Sequence, residues 1–371
     1  MANQIWRLLD LGALDPIDTQ IIYDAVSIAR GRNVVPDTMI FCYPVKPLVC
    51  IGYHQELEKE VDIDVCRQLG VPVVRRILGG GAVYLDNNQL FYQIIASIKN
   101  PMLPPVVEDA FRFFLQGPVE TYRSLGVPAV YRPINDIIVG GRKISGNGAT
   151  TTVYGVFVLT GNIILDFNYE MMVKILKAPS EKFRDKMFKS LQEWVTTLRR
   201  ELGYLVPVKE VKSTLEEAFE KTLGVSLQKG TLTSEENGLL QELRKRYLSN
   251  EWLFMPEHRH PNLIETRAVK VVAGISVAEA AYKSRGGLIR VTMEMVESKI
   301  KDILISGDFS FYPPDALPKL EQILAGTVLD RTVVTDKVRN FYITHNVQSP
   351  GTEPDDFSTV ILMAAEEGRA R

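Results

Sequence analysis

Cysteine is scarce in this chain of 371 residues: it has three, Cys42, Cys50 and Cys66, and no two stand in a Cys-x-x-Cys spacing. An odd, unpatterned set argues against a disulfide framework and against a structural zinc site, and a reducing cytoplasm is the compartment expected. A surplus of either charge is also missing. With 43 Lys+Arg against 45 Asp+Glu the formal net charge is -2, so no basic field exists to attract a nucleic-acid backbone and no nucleic-acid partner is expected. The longest charge-free stretch, 144–165, is interrupted by Thr, Gly and Asn, so strands are expected there rather than a membrane-spanning helix. The opening Met1-Ala2-Asn3-Gln4-Ile5-Trp6 lacks the basic start and apolar run of a signal peptide. Neither GxxxxGK[ST] nor GxGxxG occurs, which removes the P-loop and dinucleotide-fold readings.

What is present is a globular composition, 46% hydrophobic and 24% charged, on a chain long enough for one large and one smaller domain. Apolar residues at helical spacing predict a helix over 15–30, followed by buried strands at 38–43, 48–52 and 71–76. Charged helical patterns follow at 56–69, closed by Gly70, and at 108–125, closed by Gly126. Strands at 136–139 and 153–165 come next, the latter split by Gly155 and Gly161. From 181 to 246 the chain reads as outer helices, including a capping-box start at Thr233-Ser234-Glu235-Glu236. The polar stretch 256–262 is the linker candidate. Its Glu257, His258 and His260 are metal-ligand types, expected here to be simply solvated. Beyond it, 287–296 and 300–306 form a hairpin, with helices at 316–324 and 330–341. The expected fold is therefore α+β: a mixed β-sheet domain with flanking helices over 1–256, a small α+β domain over 263–349, and a flexible tail over 350–371.

Two segments carry chemistry. In Arg75-Arg76-Ile77-Leu78-Gly79-Gly80-Gly81-Ala82-Val83-Tyr84 a strand ends in two cations and three glycines. Backbone N–H groups without a Cβ can approach an anion closely, and a guanidinium can grip a phosphate. A tight hairpin with solvated arginines reads the same residues equally well. In Asn135-Asp136-Ile137-Ile138-Val139-Gly140-Gly141-Arg142-Lys143-Ile144-Ser145-Gly146 a polar pair opens a strand, two glycines turn it, and the return strand carries Arg142 and Lys143 on opposite faces. A lysine so placed can sit as a point charge between a carboxylate and a phosphate oxygen, or remain a surface charge.

Together the two segments resemble the lipoate-protein ligase A family of the biotin/lipoate ligase superfamily. Arg75 to Asp86 is similar to its RRxxGGGAVYHD block and Gly141 to Gly146 to its GRKISG block. Residues 286–309 are similar to the family's accessory domain. The resemblance implies ATP-dependent activation of lipoate to lipoyl-AMP, followed by transfer to a lysine of a lipoyl-domain carrier. The glycine cleavage H protein and a 2-oxo acid dehydrogenase acyltransferase subunit are such carriers. It implies that Lys143 is catalytic, and that Arg75, Arg76, Gly79, Gly80, Gly81, Ala82, Val83, Tyr84, Asn135, Asp136, Ser145, Gly146 and Gly161 line the acyl and nucleotide site. It further implies that Asp136 helps hold the Mg2+ that accompanies ATP. The chain departs from the family pattern at Leu85 and Thr160, where histidines are usual, and at Asn147-Gly148, where Ser-Ala is usual.

The rival within the superfamily is an octanoyltransferase, which passes the acyl group through a cysteine thioester without ATP. No cysteine follows Cys66, and on that ground the ligase is the preferred expectation. A biotin ligase is disfavoured by the missing GRGRxxR-type loop, and a non-catalytic binder of lipoyl carriers is the reading from outside enzymology.

Overall fold

The computed structural model describes residues 4–268 and 276–369; residues 1–3, 269–275 and 370–371, parts of the three expected segments, lie outside it. The described chain divides into two compact units. The first comprises 1–50, 61–76 and 83–248; the second comprises 51–60, 77–82 and 249–371.

The first unit contains β1 (Gln4–Leu14), β2 (Thr38–Pro44), β3 (Leu48–Ile51), β4 (Val73–Arg75), β5 (Val83–Leu85) and β6 (Gln89–Ser97). It continues with β7 (Val130–Arg132), β8 (Asp136–Val139), β9 (Arg142–Ser145), β10 (Asn147–Thr152), β11 (Val156–Ile164) and β12 (Val225–Lys229). Six of these form one mixed sheet in the order β10-β11-β6-β2-β1-β12. β1 runs parallel to β2 and β12, while β2–β6, β6–β11 and β11–β10 are antiparallel. β4-β3-β5 and β7-β8-β9 are separate three-stranded sheets. The expected mixed sheet with flanking helices is what the chain forms.

The first helix, Asp18–Gly31, buries Ile21, Ile22, Ala25, Val26 and Ile28, the stripe its spacing predicts. Asp24 on that helix accepts a 2.9 Å hydrogen bond from the Tyr247 hydroxyl, which fixes the capping-box helix Ser234–Tyr247 against it. Several expectations need correction. The single helix over 56–69 is two, Leu57–Glu60 and Ile63–Leu69, because Val61 bridges to Leu176 and Asp62 turns its side chain onto the Val65 N–H as a cap. The helix over 108–125 is broken at Leu115, ahead of Pro118, whose ring nitrogen has no hydrogen to donate. The strand over 153–165 is the second arm of a hairpin: Gly155, at φ 69°, lies in the turn and Gly161 inside β11. The segment read as purely helical contains β12, an edge strand.

In the second unit β13 (Ser276–Ser284), β14 (Gly287–Val296) and β15 (Lys299–Gly307) form an antiparallel meander. Helices Ala316–Leu324, Arg331–Thr344 and Pro354–Arg369 complete its core. The last of these corrects the expected flexible tail: Phe357, Val360, Ile361, Ala364 and Ala365 repeat at helical spacing and are buried. Two short excursions of the N-terminal sequence also join this unit. His54 stacks on Phe309 at 5.2 Å and accepts a 3.0 Å bond from Gly307 N through its carbonyl, while the Ser306 hydroxyl donates to Glu56 at 2.5 Å. A boundary drawn once along the sequence, at 256, passes over these excursions.

The expected linker is not a solvated one. Met255–His258 and Pro261–Ala268 are helical, and His260 between them is wedged between two carboxylates, 2.7 Å from Asp302 and 3.2 Å from Glu321. Arg259 contacts the same Glu321 carboxylate at 3.2 Å. No helix among the described residues is long and apolar enough to cross a membrane.

Phe357→Ala should lower the stability of the second unit by about 3–5 kcal/mol, the usual cost of deleting a buried aromatic side chain; an unchanged urea midpoint would return this segment to a loose tail. His260 supplies a pH test. Burial alone lowers its pKa, but hydrogen bonds and charge from Glu321 and Asp302 outweigh that and hold it above its ordinary 6.5. A raised folded pKa stabilises fully below the unfolded value and loses that stabilisation as pH rises through the folded value. Melting temperature should therefore fall more steeply as pH rises above the ordinary histidine value in the wild type than in His260→Gln. Parallel curves for the two proteins would contradict the charged wedge.

Candidate active site

The β8–β9 hairpin is built by its turn. Gly140 and Gly141 take φ of 54° and 83°, a pair of left-handed conformations that a two-residue hairpin turn requires. From it Arg142 and Lys143 leave on opposite faces. Arg142 pairs with Glu201 at 2.8 Å, whereas Lys143 Nζ lies 2.8 Å from Asp136 Oδ1 across the hairpin. The other oxygen of Asp136 meets Arg132 at 2.7 Å, directly opposite in the β7–β8 register. Burial pulls the Asp136 pKa up, but Lys143 and Arg132 outweigh it and hold the carboxyl below its ordinary value. One carboxylate thus serves two cations, and Lys143 keeps 38% of its side chain exposed. Its backbone is held from outside the hairpin, its carbonyl accepting 2.8 Å from Thr196 N.

Below the hairpin the site is closed by amides and hydroxyls. Asn135 and Asn147 clasp each other: Asn135 Nδ2 donates to the Asn147 carbonyl at 2.6 Å, and Asn147 Nδ2 to the Asn135 carbonyl at 2.9 Å. The hydroxyl of Tyr92 donates to Asn147 Oδ1 and lies 3.3 Å from Ser145 Oγ. Burial pushes the Tyr92 phenol well up, so it stays a neutral donor. Gly161 permits this closure, since a Cβ there would stand 2.1 Å from Asn147 Oδ1 and 2.4 Å from the Tyr92 ring. Tyr122, fully buried, pins β9 to β11 by donating to the Ile144 carbonyl at 2.7 Å and accepting from Ile164 N at 3.2 Å.

Of the residues singled out by sequence, the first unit brings together Lys143, Asn135, Asp136, Ser145, Gly146 and Gly161. It adds Arg132, Tyr92, Asn147 and Asn162, which sequence reading passed over. Asn147 was legible only as a departure from a pattern, and the others carry no local signal. Arg75 on β4 is fully buried, and Arg76 Nη1 donates to the Cys50 carbonyl at 3.3 Å. Val83 and Tyr84 stand on β5 beside β3, where Leu85 pairs with Leu48. Leu85, in place of a family histidine, is a core residue here, and Thr160 stands in β11 opposite Gln93 and Gly148. Gly79 to Ala82 belong to the second unit, where the loop backbone meets the chain after β15: Gly80 N donates to the Phe309 carbonyl at 3.4 Å. A Cβ on Gly79 would stand 2.6 Å from that same oxygen. Gly79 is needed first for protein backbone to pass close. Asp136, considered as a magnesium ligand, has both oxygens engaged by cations, and no group of three metal-ligand side chains occurs among the described residues.

The three cysteines are buried. Burial pushes the Cys66 thiol up to about 11 and raises Cys42 and Cys50 as well, the latter in spite of Arg76. A thiol so raised is a poor nucleophile at neutral pH.

A mixed sheet with flanking helices, presenting one lysine at a two-glycine hairpin with a carboxylate to locate it, is a framework shared with the lipoate protein ligases. The chain belongs to the lipoyl protein ligase A/B family: the model of its catalytic domain matches residues 24–220, and that of the bacterial lipoate protein ligase C-terminus matches 278–361. Octanoyltransferase LipM of Geobacillus kaustophilus is 30% identical over 278 residues, 68% of this chain and 99% of its own. That of Kyrpidia tusciae is 32% identical over 271 residues, 67% of this chain and 98% of its own. Among solved structures, the bi-partite lipoate protein ligase of Thermoplasma acidophilum superposes with a TM-score of 0.59 at 29% identity, covering 67% of this chain and 96% of that one. LipL1 of P. falciparum in complex with lipoate, at 14% identity, shares the fold over 96% of this chain and 99% of its own, with a TM-score of 0.69.

These relatives correct the functional expectation. The curated proteins that this chain matches over nearly their whole length are octanoyltransferases, so the ATP-dependent ligase reading is overturned. Its error was to take a missing thiol as evidence for adenylation, when a missing thiol excludes only a thioester on the enzyme.

Gly161→Ala should abolish the closure by Tyr92 and Asn147. The added methyl has no room, so acyl transfer should fall at least about 100-fold, the penalty for misplacing a reacting group by an ångström. Transfer at the wild-type rate would show that the cluster around Gly161 is unconnected with the chemistry.

Proposed function

We propose that this protein is an acyltransferase that moves an octanoyl group from a thioester donor directly to a lysine of a lipoyl domain. The observation that carries the reading is the match, over two thirds of this chain, to octanoyltransferases, joined to a half-exposed lysine held by a carboxylate. The amine of the acceptor lysine attacks the donor carbonyl; the new C–N bond forms, the C–S bond breaks, and the departing thiolate takes the proton the nitrogen loses. Lys143 stabilises the negative charge that grows on the carbonyl oxygen during attack. Direct transfer needs no enzyme nucleophile, in keeping with three buried thiols, and an already activated donor needs neither ATP nor Mg2+. Acceptors of the right kind are the lipoyl domains of a 2-oxo acid dehydrogenase acyltransferase subunit and of the glycine cleavage H protein. The cytoplasm, where buried cysteines stay reduced, is the fitting compartment.

The test is mass measurement of each acceptor after incubation with an octanoyl thioester and no ATP. One octanoyl group should be gained. A variant carrying Cys42→Ala, Cys50→Ala and Cys66→Ala should retain transfer, whereas Lys143→Ala should lose on the order of 100-fold in rate with an unaltered melting temperature. Loss of transfer in a folded cysteine-free variant would restore an enzyme thioester. An acceptor that is bound but never modified would leave a carrier-binding protein.

A further inference from the structure

Gly146 is the residue at which the chain leaves the β8–β9 hairpin and enters the main sheet. The hairpin ladder ends with Ile137 opposite Ser145, and the β10–β11 ladder begins with Asn147 opposite Gly161, so Gly146 falls between two ladders. Its N–H is satisfied instead by a side chain, donating to Asn162 Oδ1 at 2.8 Å. Asn162 Nδ2 donates at 2.8 Å to Gln89 Oε1, and Gln89 Nε2 at 3.2 Å to the carbonyl of Tyr84. Both amides are buried, with 8% and 1% of their surface exposed.

The two ends of this line fix its direction. A backbone N–H can only donate and a backbone carbonyl can only accept, so Asn162 must turn its oxygen to Gly146 and its nitrogen to Gln89. Gln89 must in turn point its nitrogen at Tyr84. Flipping either amide would set donor against donor at one end and acceptor against acceptor at the other. The line therefore joins the segment that carries Tyr84 to the junction three residues beyond Lys143, segments more than fifty positions apart in sequence.

We propose that Asn162 and Gln89 form a buried amide relay in which Asn162 is the positioning residue for Lys143. A Cβ built on Gly146 would lie 3.8 Å from Asn162 Oδ1 and equally 3.8 Å from Lys143 Cε, so the lysine stem passes over the peptide that Asn162 holds. A shift of that peptide moves the ammonium. Asn162 touches no reacting atom; it acts through the geometry of the junction.

This inference rests on the acyl-transfer reading for its kinetic consequence, but not for its structural one, and the experiment separates the two. The full-length chain is compared with Asn162→Ala, Gln89→Leu and the double variant, by hydrogen exchange of the amides in 143–148 and by steady-state octanoyl transfer to a lipoyl domain. The Gly146 amide is expected to exchange at least about tenfold faster in both single variants, including Gln89→Leu, which does not touch Gly146. In transfer, kcat is expected to fall about 10- to 100-fold with KM within about threefold, because position and not affinity is lost. The double variant should be no slower than the worse single one, since either change breaks the same line. Unchanged Gly146 exchange in Gln89→Leu, losses that multiply in the double variant, or a loss confined to KM would each overturn the relay. Should Asn162→Ala fail to fold, Asn162→Asp keeps an acceptor for Gly146 but no donor for Gln89; it too must lose kcat, and normal turnover in it counts against the proposal. Absence of transfer by the wild-type chain would sink the functional reading alone, because the exchange measurements still decide whether the relay exists.

Discussion

A single carboxylate, Asp136, has to locate two cations at once. Arg132 and Lys143 meet its two oxygens from neighbouring strands, and much of the first unit is arranged so that they do. The interaction itself is weak as a source of stability: the two cationic side chains are 42% and 38% exposed, and pairs of this kind contribute about 1 kcal/mol or less. What it supplies is location. A lysine has four rotatable bonds and a strongly hydrated end, and without a partner its charge would be spread over a wide arc. Held by Asp136, which Lys143 and Arg132 keep ionised against the pull of burial, it stays in one place. The partner does not enclose it, so an acyl carbonyl can still approach.

The hairpin that carries this pair is small, and its rigidity comes from outside. Tyr122 ties the Ile144 carbonyl to β11, Thr196 bonds the Lys143 carbonyl, and the Asn135–Asn147 clasp closes the entrance to β10. Each tie engages a backbone carbonyl in or beside the short β7-β8-β9 sheet. Buried peptide groups are costly when unpaired, so the edges of a three-stranded sheet become the places where side chains from distant segments are recruited. The site is assembled at a seam between sheets because a seam is where such groups remain.

How much of this was legible in sequence depends on the range of the cause. Local causes were readable. The apolar stripe of Asp18–Gly31, the turn at Gly140–Gly141, the opposite facing of Arg142 and Lys143, and the capping box at Thr233 all follow from residues within a few positions. Tyr92, Asn162 and Gln89 act across strands paired in space only, so each looks like an ordinary strand residue. The glycine run has a cause that the local sequence does not contain. Its freedom from Cβ suits an anion cradle or a tight hairpin, whereas Gly79 faces the backbone oxygen of Phe309. The last helix ends in a charged run that resembles a frayed terminus, yet Phe357, Val360, Ile361, Ala364 and Ala365 stand at helical spacing ahead of it and are buried. The division into units was missed because 51–60 and 77–82 contribute to the second unit through contacts with residues more than 200 positions away.

The cysteines make the same point for chemistry. In sequence, their number and position removed one route to an acyl-enzyme and were taken to favour another activation. In the structure the three thiols are inert for a physical reason, since burial raises each pKa and offers no path for a substrate. That fact constrains the number of covalent steps and leaves the source of the activated acyl group open. On the proposed transfer from a thioester donor, the task of the geometry around Lys143 is to lower the barrier to attack by an external amine without forming a bond of its own. A fixed positive charge beside the carbonyl oxygen does this by interacting more strongly with the transition state than with the ground state, which is the condition for raising a rate and not merely an affinity. The demand then passes from reactivity to placement, and the placement of Lys143 is where Asp136, Thr196, Tyr122 and the Gly146 junction all converge.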